Sequence, residues 1–461
     1  MTLIKSISGI RGTIGGKVDQ GLTPIDAVKF AAAYGTWLAA QNPNKKLKVV
    51  IGRDARISGP MIAELVKQTL VGLGIDIIDL GLSTTPTVEV AVPMEGADGG
   101  IILTASHNPK QWNALKLLNQ KGEFISGADG AALMAIAEAE AFDFAEVDDL
   151  GNIKQDASYL DKHIEAILNL PLVDAKAIAA AQFKVMVDAV NSSGGIFVPA
   201  LLRALGVQDI EELYCEPTGH FPHNPEPLPE HLTELSAKVK ANQAHLGITV
   251  DPDVDRLALV CEDGSMFGEE YTLVAVADYV LKHTPGPTVS NLSSTRALRD
   301  ITEARSLRYE AAAVGEVNVV EKMKAIGAVI GGEGNGGIIY PELHYGRDSL
   351  VGIALFLSHL AHQKMSMTAL RASYPNYVIS KNKIDLDPTT DVDAVLAKMA
   401  ANYAAYEVDT TDGVKIYIDK EWVHLRKSNT EPIIRIYAES KDESAANALA
   451  LKIMSEIKSI S

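Results

Sequence analysis

Ser106 lies in the run Leu103-Thr104-Ala105-Ser106-His107-Asn108-Pro109, and its neighbours equip it for chemistry. Short residues before it and an Asn-Pro turn after it put an exposed hydroxyl on a loop, with His107 beside it as a proton carrier. That combination describes a nucleophile or a phosphoryl carrier. An ordinary polar loop making turn hydrogen bonds has the same composition, so the serine needs partners elsewhere in the chain. Asp251-Pro252-Asp253-Val254-Asp255-Arg256 is the first of them. Alternating aspartates in extended backbone send three carboxylates to one side, where their repulsion calls for a hard cation. A calcium EF-hand is excluded, because its sixth position requires glycine where this chain has Arg256, and Leu257 to Val260 reads as a buried strand. Mg²⁺ fits better, being held by few carboxylates together with phosphate oxygens. A carboxylate cluster neutralised by Arg256 and other bases is the alternative.

A phosphorylated Ser106 carries roughly -1.5 to -2 of charge. A metal between it and Asp251, Asp253 and Asp255 binds its phosphate oxygens and offsets that charge as the group moves. Lys116 reaches the same place and exchanges a proton if neighbouring cations lower its pKa; a solvated surface lysine is the other reading. Arg426-Lys427-Ser428-Asn429-Thr430, with Arg435 beyond, is a compact donor set for a phosphate dianion, against a turn with strand-face charges as the alternative. Glu333 and Asn335 sit among glycines, in Gly331-Gly332-Glu333-Gly334-Asn335-Gly336-Gly337, and suit vicinal sugar hydroxyls. The rival nucleotide loop lacks both GxxxxGK[ST] and GxGxxG spacing.

Something must position these loops. Apolar runs ending in Gly- or Asp-rich loops alternate with Ala/Leu/Glu/Lys segments, the rhythm of βα units around mainly parallel sheets. Lys48 to Ile51 and Ile75 to Leu80 read as strands around a helix from Pro60 to Leu73. Gly100 to Leu103, Gly247 to Val250 and Gly327 to Ile330 form an internal echo, each a glycine and three mostly apolar residues ahead of a chemically loaded loop. Such loops leave the carboxyl ends of strands, where open α/β sheets bind ligands, so three of them from similar domains can face one cleft. The period changes beyond Ser373-Tyr374-Pro375-Asn376: Val414 to Ile418, Trp422 to Arg426 and Ile433 to Ala438 read as strands and Ser444 to Ile457 as a helix, a small α+β domain. Pro217 to Pro229 reads as a surface loop.

With 461 residues, 47% of them apolar, the chain holds two to four cores. Expected divisions are 1–150 with the serine loop, 151–256 with the aspartate loop, 257–372 with the sugar loop and 373–461 with the phosphate loop. A net charge of -17 argues against nucleic acid and anionic membranes as partners and makes any anionic substrate depend on a local basic pocket. Cys215 and Cys261 lack CxxC spacing and fit a reducing compartment. The start lacks a signal peptide's apolar stretch and no segment reads as a membrane span, so a cytoplasmic protein is expected.

These motifs, in this order, resemble the α-D-phosphohexomutase family from Ser8-Gly9-Ile10-Arg11-Gly12 to the last domain. The resemblance implies three related α/β domains with mixed sheets and a C-terminal α+β domain of the TATA-binding-protein-like class around a central cleft. It implies that Ser106 is the phosphoserine and a metal ligand, that Asp251, Asp253 and Asp255 hold Mg²⁺, and that Glu333 binds sugar hydroxyls. Arg426, Ser428, Asn429, Thr430 and Arg435 match its phosphate-binding loop, and Arg11, His107, Lys116 and Arg256 its active-site cations. The implied reaction moves phosphate between the 6- and 1-positions of a hexose, with a hexose 1,6-bisphosphate as intermediate and activator and a small sugar phosphate as the partner of a monomer or homodimer. One departure is plain: Asn335-Gly336-Gly337 stands where many members have a histidine. The Ser-Gly-Ile-Arg-Gly-Thr start leans toward phosphoglucosamine mutases over phosphomannomutase/phosphoglucomutases. A phosphatase, in which water intercepts the phosphoserine, and a non-catalytic sugar-phosphate sensor are the competing readings.

Overall fold

Four sheets organise the computed structural model of the chain, which describes residues 2–6, 9–387, 390–427 and 433–460. The chain divides into two units, Met1–Thr272 with Gly336–Thr368, and Leu273–Asn335 with Ala369–Ser461.

In the first unit, a seven-stranded sheet has the order Ile4–Ser6, Gly9–Thr13, Trp112–Leu118, Gly99–Leu103, Lys48–Arg53, Asp76–Leu82, Ile153–Gln155. Gly99–Leu103 is buried along its whole length, parallel to Lys48–Arg53 and antiparallel to Trp112–Leu118. The serine loop therefore leaves the end of one central strand and returns on its neighbour. Pro24–Gln41, Gly59–Gly72 and Gly127–Ala139 cover one face through Phe30, Tyr34, Ile62, Val66, Leu70 and Leu133, while Thr85–Met94 covers the other through Val88 and Val92. Each such fully buried large apolar side chain contributes about 1.5–3 kcal/mol. Pro24–Gln41 begins where local chemistry says it should: Thr23 and Asp26 form a capping box and Pro24 occupies the first turn.

A second sheet has the order Leu257–Cys261, Leu246–Val250, Lys184–Asp188, Asp209–Leu213. Leu246–Val250 and Leu257–Cys261 are buried at every position and pair antiparallel, Val250 opposite Leu257, so the aspartate loop is the tip of a buried hairpin.

In the second unit, Thr288–Asn291 runs parallel to Tyr309–Ala312 and to Ile330–Glu333. The C-terminal sheet is antiparallel, ordered Val378–Asp385, Ile433–Ser440, Glu421–Lys427, Val414–Ile418, Glu407–Asp409, and Val392–Asn402 and Glu443–Ile460 pack on it through Leu396, Met399, Ile453 and Ile457. The α/β and α+β classes read from the sequence are the classes observed.

Two details differ from the sequence reading. Gly327 is no strand residue: it closes the helix Glu316–Ile326 in the left-handed conformation, φ 64°, and the strand begins at Ile330. A glycine after a helix is a cap before it is anything else. The last domain also has two strands and a helix more than expected, because Val378–Asp385 carries mostly polar residues and Glu407–Asp409 is too short for a period to register.

Candidate active site

Ser106 has φ 49°, a left-handed conformation that aims its side chain off the loop. Its N–H is held by Thr104 Oγ1 at 2.9 Å, and its hydroxyl donates to Asp251 Oδ2 at 2.7 Å. The serine and the first aspartate are thus in contact across 145 residues of sequence. His107 Nδ1 lies 3.4 Å from Ser106 Oγ, and burial, aided by Arg256, drives its pKa down to about 2, which keeps the ring neutral.

The aspartates converge, but not through extended backbone. Val254 takes φ 65°, and the N–H groups of Asp255 and Arg256 both donate to Asp251 Oδ1 at 3.1 Å. A β-branched residue in the left-handed region is strained, and the fold around it holds it there. Both oxygens of Asp251 are held by protein, Oδ2 by Ser106, and one oxygen each of Asp253 and Asp255. Asp251 Oδ1 takes the two N–H groups; Asp253 Oδ2 takes Lys116 Nζ at 2.6 Å and the Thr85 hydroxyl; Asp255 Oδ2 takes Arg347 at 2.7 Å and Lys116 at 3.2 Å. Asp253 Oδ1 and Asp255 Oδ1 are buried without hydrogen bonds, and one ligand atom from each of the three residues lies within 4.8 Å of the others. Buried acceptors aimed together without donors are what a hard cation requires, so Mg²⁺ fits this donor set.

Charge follows the same geometry. Burial and the two neighbouring aspartates push Asp251 well above the usual carboxylate range. Burial would also raise Asp255, but Arg347, Lys116 and Arg256 outweigh it and hold that carboxyl low. Lys116 is buried and carries two carboxylates on its ammonium, which rules out the solvated surface lysine. Its burial favours the neutral amine, yet Asp253 and Asp255 overcome this and raise its pKa, opposite to the direction a proton carrier was expected to need. Arg256 leans toward Glu226 at 3.7 Å, in the Pro217–Pro229 stretch, and Arg11 sits opposite Ala114 on the strand beside that of Lys116.

In the second unit, Glu333 Oε1 accepts from Asn291 Nδ2 at 2.8 Å and from Gly315 N at 3.1 Å, and half-buried Asn335 follows in the turn. Arg426 and Arg435 are directly opposed on adjacent strands, two like charges in a pairing that ordinarily destabilises a sheet. Asp412 answers the first, with 2.8 Å to Arg426 Nε, and accepts from Val314 N next to Gly315. Asp412 therefore ties the basic strand pair to the sugar-loop surroundings. Ser428, Asn429 and Thr430 lie outside the described residues, as does Ser8.

Sequence reading missed Thr85 and Arg347, both on carboxylates of the aspartate loop. A signal existed for the second: Gly-Arg-Asp occurs twice, at Gly52-Arg53-Asp54 and Gly346-Arg347-Asp348, and each aspartate accepts a backbone N–H two residues on.

Residues 3–144, 161–264 and 268–377 match the phosphoglucomutase/phosphomannomutase alpha/beta/alpha domains I, II and III, and residues 381–456 match the C-terminal domain of the same family. A phosphoglucomutase/phosphomannomutase of Thermococcus kodakarensis is 35% identical over 454 residues, 96% of this chain and 98% of that one. A probable phosphoglucosamine mutase of Methanopyrus kandleri is 31% identical, covering 96% of this chain and 95% of its own. The crystal structure of a phosphoglucomutase/phosphomannomutase family protein from Burkholderia thailandensis superposes with a TM-score of 0.84 at 27% identity, over 98% of this chain and 97% of that one. Matches in all four domains, in order and over nearly the full length, carry one conclusion: the chain belongs to the phosphoglucomutase/phosphomannomutase family of phosphohexomutases.

Proposed function

We propose that this phosphohexomutase moves phosphate between the 6- and 1-positions of a hexose through phosphorylated Ser106, with glucosamine phosphate as its preferred substrate. The observation that carries the reading is the contact of Ser106 Oγ with Asp251 Oδ2 at 2.7 Å, in a carboxylate cluster where Asp253 and Asp255 each keep one buried oxygen without a hydrogen bond. Phosphoserine gives its phosphoryl group to the free hydroxyl of a sugar phosphate: the bond from Oγ to phosphorus breaks and one to the sugar oxygen forms. The displaced hydroxyl proton ends on Oγ, where Asp251 accepts the hydrogen bond. The resulting hexose 1,6-bisphosphate turns around, Oγ attacks its other phosphorus, the bond from that phosphorus to the sugar oxygen breaks, and the Oγ proton passes to the freed sugar oxygen. Mg²⁺ held by Asp251, Asp253 and Asp255 would supply the positive charge that offsets repulsion between those carboxylates and the phosphoryl oxygens.

In this reading Lys116 and Arg347 neutralise and orient the carboxylates, and His107 lines the serine as a neutral ring. Glu333 and Asn335 bind sugar hydroxyls, while Arg426, Arg435 and the Ser428 to Thr430 segment hold the phosphate that is not transferring. The domain division at 1–150, 151–256, 257–372 and 373–461 belongs to the same proposal. For glucosamine, support comes from the Ser-Gly-Ile-Arg-Gly-Thr start and from relatives named as probable phosphoglucosamine mutases; relatives named for glucose and mannose phosphates support the alternative. Among the described residues no helix is long and apolar enough to cross a membrane.

The test is Ser106→Ala, assayed with bisphosphate priming against glucosamine, mannose, glucose and N-acetylglucosamine phosphates. Mutase turnover falls by on the order of 10³ or more while the fold persists. Near-normal turnover in that variant ends the phosphoserine mechanism, and inorganic phosphate outpacing isomerised sugar in the unmutated enzyme makes it a phosphatase. A higher kcat/KM for mannose phosphate than for glucosamine phosphate overturns the substrate assignment alone.

A further inference from the structure

Arg56 has no solvent exposure, and its guanidinium ends on one carboxylate and on backbone carbonyls. All five of its N–H bonds are used. Nε donates to Asp54 Oδ2 at 3.0 Å; one terminal nitrogen donates to the carbonyls of Pro109 at 2.8 Å and Trp112 at 3.0 Å; the other donates to the carbonyls of Ser106 and of Asn108, the latter at 2.6 Å. Three of the five therefore end on the backbone of the loop that carries the serine and a fourth on Trp112, the first residue of the strand the loop leads into. Burying a guanidinium is costly unless it is paired and fully hydrogen-bonded, and a rigid planar fork fixes its acceptors more tightly than a flexible ammonium can.

The rest of the surroundings serves the same clamp. Thr104 Oγ1 accepts the Ser106 N–H and donates to Asp54 Oδ2 at 2.7 Å, so Asp54 holds the loop from both ends. Ser192 Oγ accepts from Ala55 N at 3.3 Å and donates to Pro252 O at 2.7 Å, which couples the clamp to the aspartate loop. Phe221 lies over the guanidinium at 5.1 Å, and Gly219 behind it has no room for a side chain, since a Cβ would stand 2.1 Å from Ala55 O. Left-handed Ser106 has no local reason to adopt φ 49°; a carbonyl gripped from below supplies one.

From this we propose that Arg56 is the positioning residue of the serine loop: by binding the carbonyls of Ser106, Asn108, Pro109 and Trp112 it fixes the position of Ser106 Oγ for phosphoryl transfer. The inference rests on the phosphoserine reading. Arg56 takes no part in binding the sugar, so its loss acts on kcat and leaves KM alone.

The experiment compares the full-length Arg56→Lys and Thr104→Val variants with the unmutated enzyme and with Ile167→Val, a buried control in the helix Tyr159–Leu168. Thermal denaturation, kcat, KM and the fraction of Ser106 phosphorylated after incubation with hexose 1,6-bisphosphate, read by intact mass, are measured on each. Arg56→Lys lowers kcat and the rate of Ser106 phosphorylation by ~100-fold with KM within about twofold, as expected for a reacting atom displaced by about 1 Å. Thr104→Val moves the same two quantities in the same direction, and decides the matter if Arg56→Lys does not fold. Unchanged kcat and phosphorylation rate in a folded Arg56→Lys, or in Thr104→Val where that variant decides, overturn the inference. So does a kcat loss in Ile167→Val equal to that of the deciding variant. Should Ser106→Ala retain turnover, the phosphoserine reading fails first; should Ser106→Ala be dead and Arg56→Lys normal, only the clamp fails.

Discussion

The two units of the molecule handle charge in opposite ways. Around Ser106, cations meet carboxylates in buried, short-range sets: Arg56 with Asp54, and Lys116 and Arg347 with Asp253 and Asp255. On the C-terminal sheet, Arg426 and Arg435 face each other across adjacent strands, Asp412 pairs with the first, and Arg435 is exposed. In the first region the cations orient the carboxylates and leave one buried oxygen each on Asp253 and Asp255 for a hard cation. The second carries an excess of positive charge that an incoming dianion would neutralise. On the proposed mechanism the difference divides the labour between a fixed apparatus that moves a phosphoryl group and an open one that grips whichever phosphate is not moving.

The strongest way to break that comparison is Asp253→Asn. If the buried set works as a whole, removing one charge takes a candidate metal ligand and leaves Lys116 with Asp255 alone. kcat falls by on the order of 10³, and added Mg²⁺ restores little of it. A variant that recovers most of its turnover at raised Mg²⁺ would mean that Asp253 serves metal affinity only, and that the set is not a unit.

Arg435→Gln sharpens the other half. An exposed residue on a strand end costs the fold little, so its effect falls on binding. One lost charge-assisted hydrogen bond to phosphate raises KM by ~10-fold with kcat nearly unchanged. A fall in kcat at constant KM would place Arg435 in the chemistry and erase the distinction between the two units.

How much of this was visible in the amino-acid order depends on how local the signal was. Ser106 and the aspartate triplet were legible because spacing alone assembles them, and the strands before them were legible as short buried runs. The conformation of the triplet was not, since alternation suggests an extended segment, whereas Val254 in the left-handed region makes a turn. Lys116 was legible as a residue of interest but not in its charge state, which is fixed by carboxylates 137 and 139 residues away. Arg56 and Arg347 escaped altogether. Apart from Asp54, the partners of Arg56 are backbone carbonyls 50 to 56 residues on, and that of Arg347 is a carboxylate 92 residues back, so the repeated Gly-Arg-Asp is the one local trace either leaves.

The last expected effect falls on the second unit's own stability and leaves turnover alone. Glu439 is buried against Trp422, accepting from its indole N–H at 2.6 Å and from Arg296 N at 2.8 Å, and burial outweighs those bonds to push its pKa up to about 7. The folded protein therefore keeps a proton that the unfolded chain has already lost above its ordinary carboxylate pKa. Stability from this group is highest at low pH, falls as pH rises through the window from about 4.5 to about 7, and stays at its reduced level above that. Glu439→Gln carries a permanent donor in place of the retained proton and so has no such dependence. Between about pH 5 and pH 8 the melting temperature of the unmutated enzyme should drop relative to that of Glu439→Gln, the difference corresponding to at most about 3 kcal/mol. Parallel pH profiles for the two proteins would show that Glu439 ionises in the folded state as an ordinary surface acid does, and that Lys415, whose ammonium stands 3.9 Å from the Trp422 ring, compensates it fully. The second unit would then share the balanced character of the first in its core and depart from it only where the arginines meet the phosphate.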